Sequence, residues 1–592
     1  MVNTYSEVWD LDVFFEGGSQ SADFELHLKA TAETITGFQN DVKSWQPGKN
    51  EDEGSVLAGL VGVFDAAARK LRQAGAFVSC LQAQNTNDKK AGQLRSDLTE
   101  LSASLNTALT VFDQKLAGFT AEAWEELITT SLLNELRFVL TERRERAAEK
   151  LSEKEETTIN ALSVDGYHAW GQMYDLLVSS TKIHSKTGTL SVGQAANKLS
   201  DADREVRKEI FTEWEKAWGE KEDFYSKTLN HLAGFRLNSY KLRGWDNVLK
   251  EPLDINRMQK ETLDAMWEVI SDNKEPFVRF LNRKAQLLGL EKLSWFDLDA
   301  PIGRADSKMS YQEGAEFIID NFAKFGKEMA GFAEMAFKNK WIEAEDRTGK
   351  APGGFHTFFP ESSQSRIFMT YSGTPSNVST LAHELGHGFH TYAMRDLHLL
   401  NRNYAMNVAE TASTFAEMIV SDASVKNSKT KEEKLSLLED KIQRSVALLM
   451  NIHARFLFET RFYEERRQGV VNAERLNEMM KDAQVEAYGG ALDEYHPLFW
   501  ASKLHFYITG VPFYNFPYTF GYLFSLGIYA VAQEEGRGYE EKYISLLKDT
   551  ASMPVEELAK KHLNVDLTKK DFWEKAVRTC VDDVEEFLAL TE

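Results

Sequence analysis

Leu94, Leu98, Leu101, Leu105 and Leu109 recur at three- and four-residue spacing among Ala, Gln, Glu and Lys. That period puts them on one helix face, and the residues between them are good helix formers. No proline occurs between Pro47 and Pro252, so the interval reads as long amphipathic helices. The run ERRERAAEKLSEKEE at 142–156 reads as a solvated helix face carrying i,i+4 ion pairs. The helical pattern breaks at TKIHSKTGTLSVGQ, 181–194, where β-branched residues surround Thr187-Gly188. A hairpin or linker is expected there. It divides the chain into an N-terminal helical domain, 1–190, and a second domain, 191–592.

Helical spacing resumes from 200 to about 340. Between 347 and 380 glycine pairs, Thr, Phe, Ile and Tyr alternate with turn residues, which predicts a small sheet at about 350–372 with strands at 354–359 and 366–371. A helix at about 377–395 follows, with Ser376 and Asn377 as N-cap residues. Helices then continue to the end, broken by a Pro- and Tyr-rich loop at 510–518. No internal repeat is present. The fold class is mainly α, with one small β-sheet.

Composition narrows the function. The chain has 592 residues, 43% apolar, 11% aromatic and 27% charged, which excludes a small single module or a disordered protein. Asp and Glu number 91 against 69 Lys and Arg, a net charge of −22. So acidic a chain repels phosphate backbones and anionic lipid, so neither nucleic acid nor membrane is an expected partner. Cys80 and Cys580 make no disulfide framework. The N-terminus lacks the basic-then-apolar pattern of a signal peptide, and no stretch approaches ~18 uninterrupted apolar residues. A cytoplasmic protein is expected. The oligomeric state cannot be read from these features.

The chemistry lies in NVSTLAHELGHGFHTYAMRD, 377–396, which contains His383-Glu384-Leu385-Gly386-His387. Two imidazoles four residues apart lie one above the other on a helix and can grip one ion. Zinc with an open coordination position acidifies a water, and Glu384 beside the pair can take its proton. Gly386 and Gly388 each cost a helix interior ~1 kcal/mol against Ala, so another element or a substrate backbone is expected to approach closely. His390, about 10 Å from His383 along the axis, is too far to share the ion.

A zinc held by two histidines needs a third protein ligand. The segment AMNVAETASTFAEMIV, 405–420, reads as one helix that places Glu410 and Glu417 on the same polar face with Ser413 and Thr414. Spacing alone does not choose between the two glutamates.

These motifs, FMTYSGTPSNVSTLAHELGHGFH and AETASTFAEM, with EYHPLFWASKLHFYITGVPFYNFPYTFGYLF at 494–524, resemble the oligoendopeptidase F family of the thimet-oligopeptidase-like zinc metallopeptidases. The resemblance is specific at the two metal motifs and loose in the N-terminal third. It implies one zinc per chain, held by His383, His387 and Glu410, with Glu384 as general base and Glu417 behind the ligands. It points to His505, Tyr514 and Tyr518 as groups supporting the developing oxyanion, with Tyr507 and Tyr522 as competitors. It also implies an elongated helical fold, cleft lengthwise, with the metal deep in a narrow channel, and internal cleavage of short unstructured peptides. The N-terminal domain would then cover the channel of a catalytic domain at 191–592.

Gly354, His356 and Tyr371 are further candidates for substrate contact. The strand before the zinc helix, read as an edge strand, could align a peptide backbone by pairing. Two alternatives stand beside the endopeptidase. A dipeptidyl carboxypeptidase-like exopeptidase requires a cation for the terminal carboxylate, which Arg366 or Arg402 could supply. A catalytically silent peptide-binding scaffold would have no use for Glu384.

Overall fold

The computed structural model describes residues 4–303, 308–536 and 538–592. Three long helices, Ala22–Ser44, Glu53–Gln84 and Lys89–Ala117, open the chain. Each starts on a side-chain cap, from Ser21, Asp52 and Asp88, that satisfies a backbone N–H of its first turn. Their apolar faces meet around Phe38, Phe64 and Phe112, and Leu399 and Leu400 from the far half of the chain enter the same core.

The charge run at 142–156 is only in part a solvated face. Arg146 and Glu142 make the expected i,i+4 pair at 2.6 Å. Glu142 also takes Arg257 at 2.7 Å, and the buried Glu156 takes Arg243 at 2.7 Å. The run therefore fastens the N-terminal helices to helix Glu222–Arg243 and the chain beyond it. Partners so distant in sequence leave no local pattern.

The segment at 181–194 forms the expected hairpin. Strand β1 (Lys182–Ser185) pairs antiparallel with β2 (Gly188–Ser191), and Gly188 takes the positive φ, 131°, that closes it. Tyr174 and Ile183 pack in the large core that extends to the C-terminal helix.

The central sheet has three strands, β3 (Ile342–Glu343), β4 (Phe355–Phe359) and β5 (Gln364–Phe368), in the order β3-β5-β4. Strand β3 is too short to show a period. β5 runs parallel to β3 and antiparallel to β4. The strand before the helix that carries His383 and His387 is thus central rather than an edge, and β4 holds the outer position. Burial agrees: Arg366, Ile367 and Phe368 are fully covered. The first residues of the chain seal the other side. The Ala344 N–H donates to the Glu7 carbonyl at 2.7 Å, Asp10 N–H donates to Lys340 at 3.0 Å, and Phe14 stacks on Phe359 with centroids 3.8 Å apart.

The helix after β5 spans Pro375–Ala393 and starts earlier than the N-cap reading of Ser376 and Asn377 placed it. Thr374 is the cap. Its hydroxyl accepts from the Asn377 N–H at 3.2 Å, while the Asn377 side chain accepts from the Thr374 N–H at 3.4 Å. Pro375 fits the first turn because its missing N–H would have had no partner there.

Helix Phe516–Glu535 is buried along most of its length. It packs on the C-terminal helix Lys570–Thr591 through Phe520 against Trp573 and Phe524 against Phe572, at 5.4 and 5.8 Å. A helix apolar all round belongs in the interior, and this one forms the floor behind the site.

Candidate active site

His383 and His387 project from one face of Pro375–Ala393 with ring centroids 4.8 Å apart. Glu410 faces them from a neighbouring element. Its Oε2 lies 3.3 Å from His383 Nε2 and 3.6 Å from His387 Nε2. The segment carrying it is not the single helix expected at 405–420. A short turn, Met406–Ala409, ends at Glu410, whose φ and ψ are −85° and 2°, and helix Thr411–Asn427 begins after it. Glu417 therefore sits one full element deeper than Glu410, and the two carboxylates do different work.

Glu417 Oε2 bonds His383 Nδ1 at 3.1 Å and also contacts Arg444. Fixing Nδ1 leaves Nε2 free as the ligand atom. Burial alone would raise the Glu417 carboxyl, but the hydrogen bond with His383 and the Arg444 charge hold it below its ordinary value. Glu410 in turn accepts from the Ser413 hydroxyl at 2.6 Å. The ligand atoms of His383, His387 and Glu410 all lie within 4.8 Å of one another. Tetrahedral zinc, with bonds of about 2.0–2.1 Å, needs its donors about 3.3 Å apart, so this donor set fits the ion.

Glu384 is 6% exposed, and its Oε2 has no hydrogen-bond partner. Burial pushes its carboxyl up to about 7, with His383 opposing and the Glu410 and Glu417 charges adding to the rise. A buried carboxylate oxygen without a partner among the described residues, beside three groups that could hold a metal ion, has the setting a general base needs. The backbone of Gly354 borders it: a Cβ there would stand 3.3 Å from Glu384 Oε1.

Both glycines of the zinc helix meet another element, as their placement implied. A Cβ on Gly386 would stand 2.5 Å from the Ala412 carbonyl oxygen, and one on Gly388 would stand 2.7 Å from the Phe332 ring.

His505, Tyr514 and Tyr518 form one aromatic cluster. The ring of His505 lies 5.1 Å from Tyr514 and 6.0 Å from Tyr518, and the two tyrosines are 5.3 Å apart. Tyr518 belongs to Phe516–Glu535 one turn before Gly521, and Gly521 lies against Glu410, with 3.2 Å from its built Cβ to Glu410 Cβ. Burial raises Tyr518, and Tyr514 and the Glu410 charge raise it further. His505 is pushed down to about 4 by burial, helped by Arg455 and Lys503, so it is neutral near pH 7.

Two anchors shape the loop that carries this cluster. Asn515 donates to the buried Glu459 at 2.6 Å, next to Phe513 at φ 52°. At the other end Tyr167 donates to the Thr509 carbonyl at 2.9 Å, and His168 Nδ1 meets the Thr509 hydroxyl at 2.8 Å.

Several candidates are not brought together. Tyr371 is buried away from the donors, giving its hydroxyl to the Met309 carbonyl at 3.1 Å and its edge to Tyr311, so it is a packing residue and not a substrate contact. His356 spends Nε2 on Ser365 at 2.9 Å, and burial pushes it down to about 3; its ring fills the space beside Gly388. His390 is buried against Thr550 and Tyr404. Tyr507 stacks on Tyr174 at 3.8 Å and Tyr522 bonds Ser445 at 2.9 Å, which removes both competitors. Arg366 donates to the Asp10 carbonyl, and Arg402 to the Leu397 and Arg395 carbonyls. Arg366 is fully buried, and Arg402 Nη1, which has no partner among the described residues, is itself covered. Sequence reasoning passed over Arg444, Arg455, Lys503, Glu459 and Gly521. Gly521, inside an otherwise apolar helix, was the one legible signal among them.

Residues 198–579, which hold every donor and the whole aromatic cluster, match the family model of peptidase family M3, and residues 116–182 match that of oligopeptidase F. The chain belongs to peptidase family M3. It is a metallopeptidase. An oligoendopeptidase F homolog from Lactococcus lactis subsp. lactis is 22% identical over 99% of this chain and 97% of its own length. Oligopeptidase PepF from Bacillus subtilis is 24% identical, over 85% of this chain and 76% of its own. The structure of oligoendopeptidase-F from Enterococcus faecium shares the fold, with a TM-score of 0.70 at 17% identity, covering 96% of this chain and 98% of that one. The M3 family and the mainly helical fold are thus those the motifs led us to expect.

Proposed function

We propose that this M3 peptidase is a zinc-dependent oligoendopeptidase that hydrolyses internal bonds of short unstructured peptides. The observation that carries the reading is Glu384: a buried carboxylate with an unpartnered oxygen, raised to about 7, beside the His383, His387 and Glu410 donors. A zinc ion on those donors would supply Lewis-acid polarisation of the scissile carbonyl and of an attacking water.

The chain's own residues do the rest. Glu384 takes the proton of the attacking water and passes it to the leaving amine. His505, neutral, with Tyr514 and Tyr518, donates to the oxyanion as charge grows on it. Glu417 holds the His383 ring through Nδ1, and Arg444 holds Glu417. Gly353 and Gly354, leading into the outer strand β4 (Phe355–Phe359), let an extended substrate backbone come up to Glu384; this transfers to β4 the pairing role that the central β5 cannot play. Such pairing rewards extended main chain whatever the side chains, so a folded protein is a poor substrate.

Among the described residues no helix is long and apolar enough to cross a membrane; the cytoplasm is the compartment we assign. The test is mass spectrometry of products from unstructured peptides of graded length, with stably folded proteins alongside. Internal cleavage of the peptides with the folded proteins intact is expected. Release of terminal residues only, or efficient cutting of a folded protein, would contradict the reading.

A further inference from the structure

Two cations stand beside the His505 cluster without an anion. Arg455, on helix Ile452–Arg466, gives its Nε to Asn451 at 2.9 Å. Its guanidinium carbon lies 5.4 Å from the Phe499 ring centroid. Lys503 Nζ lies 5.5 Å from the same centroid, so one buried ring gathers both charges. No carboxylate of a described residue comes within ion-pair distance of either. Asp299 is the carboxylate whose charge Lys503 feels, and it is exposed and accepts from Gln443 at 3.1 Å. Arg455 is 9% exposed.

The chain carries a net charge of −22, so carboxylates are plentiful, and several deeply placed cations pair with one. Lys441 takes Asp422 and Asp583 at 2.7 and 2.8 Å, Arg207 takes Asp297 at 2.9 Å, and Lys284 takes Glu439 at 2.6 Å. Arg236 and Arg366 instead spend their N–H groups on hydroxyls and carbonyls, whereas among the described residues Arg455 has a single side-chain hydrogen bond, to Asn451, and Lys503 has none. Burying a charge without a partner is costly. Here burial is opposed by no ion pair, and it lowers Lys503 to about 8 and Arg455 to about 10. The position is also informative. Tyr518 feels both Glu410 and Arg455, while His505 feels Arg455 and Lys503. Tyr518, one turn before the Gly521 that packs on Glu410, joins the aromatic cluster to the metal donors, and Lys503, two residues before His505, joins it to the two cations.

We infer that Arg455 and Lys503 form a subsite for a carboxylate of the bound peptide, at the end of the His505 cluster away from Glu410. The ligand class is a carboxylate on an extended peptide, from its C-terminus or from an acidic side chain. The inference rests on the peptidase reading and names a substrate feature of that site. A C-terminal carboxylate held there would fix how many residues follow the cleaved bond, which gives the length limit a physical cause.

Two experiments separate this inference from the reading beneath it. The first is equilibrium binding to the zinc-loaded Glu384→Gln protein, using four peptides that share one scissile sequence. They carry a C-terminal acid, a C-terminal amide, the amide with one Glu, and the amide with Gln at that place. A preference of about 10-fold or more for a peptide with the added carboxylate is expected, as for a hydrogen bond to a charged group. Arg455→Gln and Lys503→Gln, each combined with Glu384→Gln, should shrink that ratio towards one. A gain for the acid alone identifies the C-terminus, and a gain for Glu alone identifies the side chain. Equal binding of all four peptides would overturn the subsite, as would variants that weaken charged and neutral peptides in the same proportion. The second experiment is hydrolysis of the same peptides by the unmutated enzyme. Its failure, with the binding preference intact, would tell against the endopeptidase reading and leave the subsite standing.

Discussion

A Cβ built on Gly386 would stand 2.5 Å from the carbonyl oxygen of Ala412, so the helix that carries the two histidines touches the start of helix Thr411–Asn427, just after Glu410, backbone to backbone. Any side chain at 386 must push Thr411–Asn427 away from Pro375–Ala393, and with it Glu410. Gly386→Val should destabilise the protein by about 1–3 kcal/mol and lower its zinc content. Gly331, in helix Lys327–Lys338 with nothing within 4 Å of a built Cβ, is the control. Gly331→Ala should gain up to about 1 kcal/mol with zinc content unchanged. Denaturant melts with metal analysis of both variants check this.

Glu410 and Glu417 should differ in kind. Glu410→Ala removes a donor and should leave little zinc bound after dialysis. Glu417→Ala frees the His383 ring and strands Arg444, and should weaken zinc by about 10- to 100-fold without abolishing binding. Titration against a competing chelator measures both, and the reverse order would exchange the roles assigned to the two glutamates.

Glu384→Gln keeps size and shape while removing the base. Zinc content and melting temperature should hold within a few degrees, because no hydrogen bond reaches Oε2. Turnover should fall by ~100- to 10,000-fold. Near-normal hydrolysis by this variant would refute the base assignment.

His505→Ala and Tyr518→Phe should lower kcat by about 100-fold with little change in KM, because the donated hydrogen bond strengthens only as charge develops. Tyr371→Phe, which loses the hydroxyl's bonds to the Met309 and Ser310 carbonyls, should cost about 1 kcal/mol of stability and leave kcat in place. Steady-state kinetics on one peptide separates the three.

Glu459 gives a pH prediction for the loop that carries the tyrosines. Burial raises its carboxyl from 4.5 to about 8, against Arg236, Phe513 and Asn515. A group raised on folding favours the folded state most fully below its unfolded value, and that contribution is lost as pH rises through the folded value. Between pH 4.5 and about 8 the melting temperature of Glu459→Gln should therefore gain on the wild type. Parallel melting curves across that range would argue against it.

The helix that carries His383 and His387 was legible because its chemistry is local, two histidines and a glutamate within one turn and a half; its start was not, since Thr374 caps it and not Ser376 or Asn377. Glu410 was legible as a candidate and not as a choice. The backbone turn that separates it from Glu417 contains neither glycine nor proline, and the packing of Gly521 against it comes from more than 100 residues downstream. Periodicity found β4 and β5, but strand order depends on β3, two residues long, and on the chain's first residues lying alongside it. Tyr371 lies beyond β5 and gives its hydroxyl to the Met309 and Ser310 carbonyls, a pairing that the spacing of the strand does not announce. Arg455 and Lys503 carry no motif, and only their shared ring and missing partners single them out.

The N-terminal segment that seals the sheet sets an order of events for the nascent chain. Trp9 N–H reaches the Glu343 carboxylate, a partner 334 residues away, and Asp10 and Arg366 join the same seam. Closing so long a loop is entropically expensive and slow. Trp9 and Asp10 must wait, unpaired, until the sheet they complete has left the ribosome. Throughout that wait Trp9 and Phe14 stay uncovered, and aggregation, not instability of the finished enzyme, is the hazard this architecture creates.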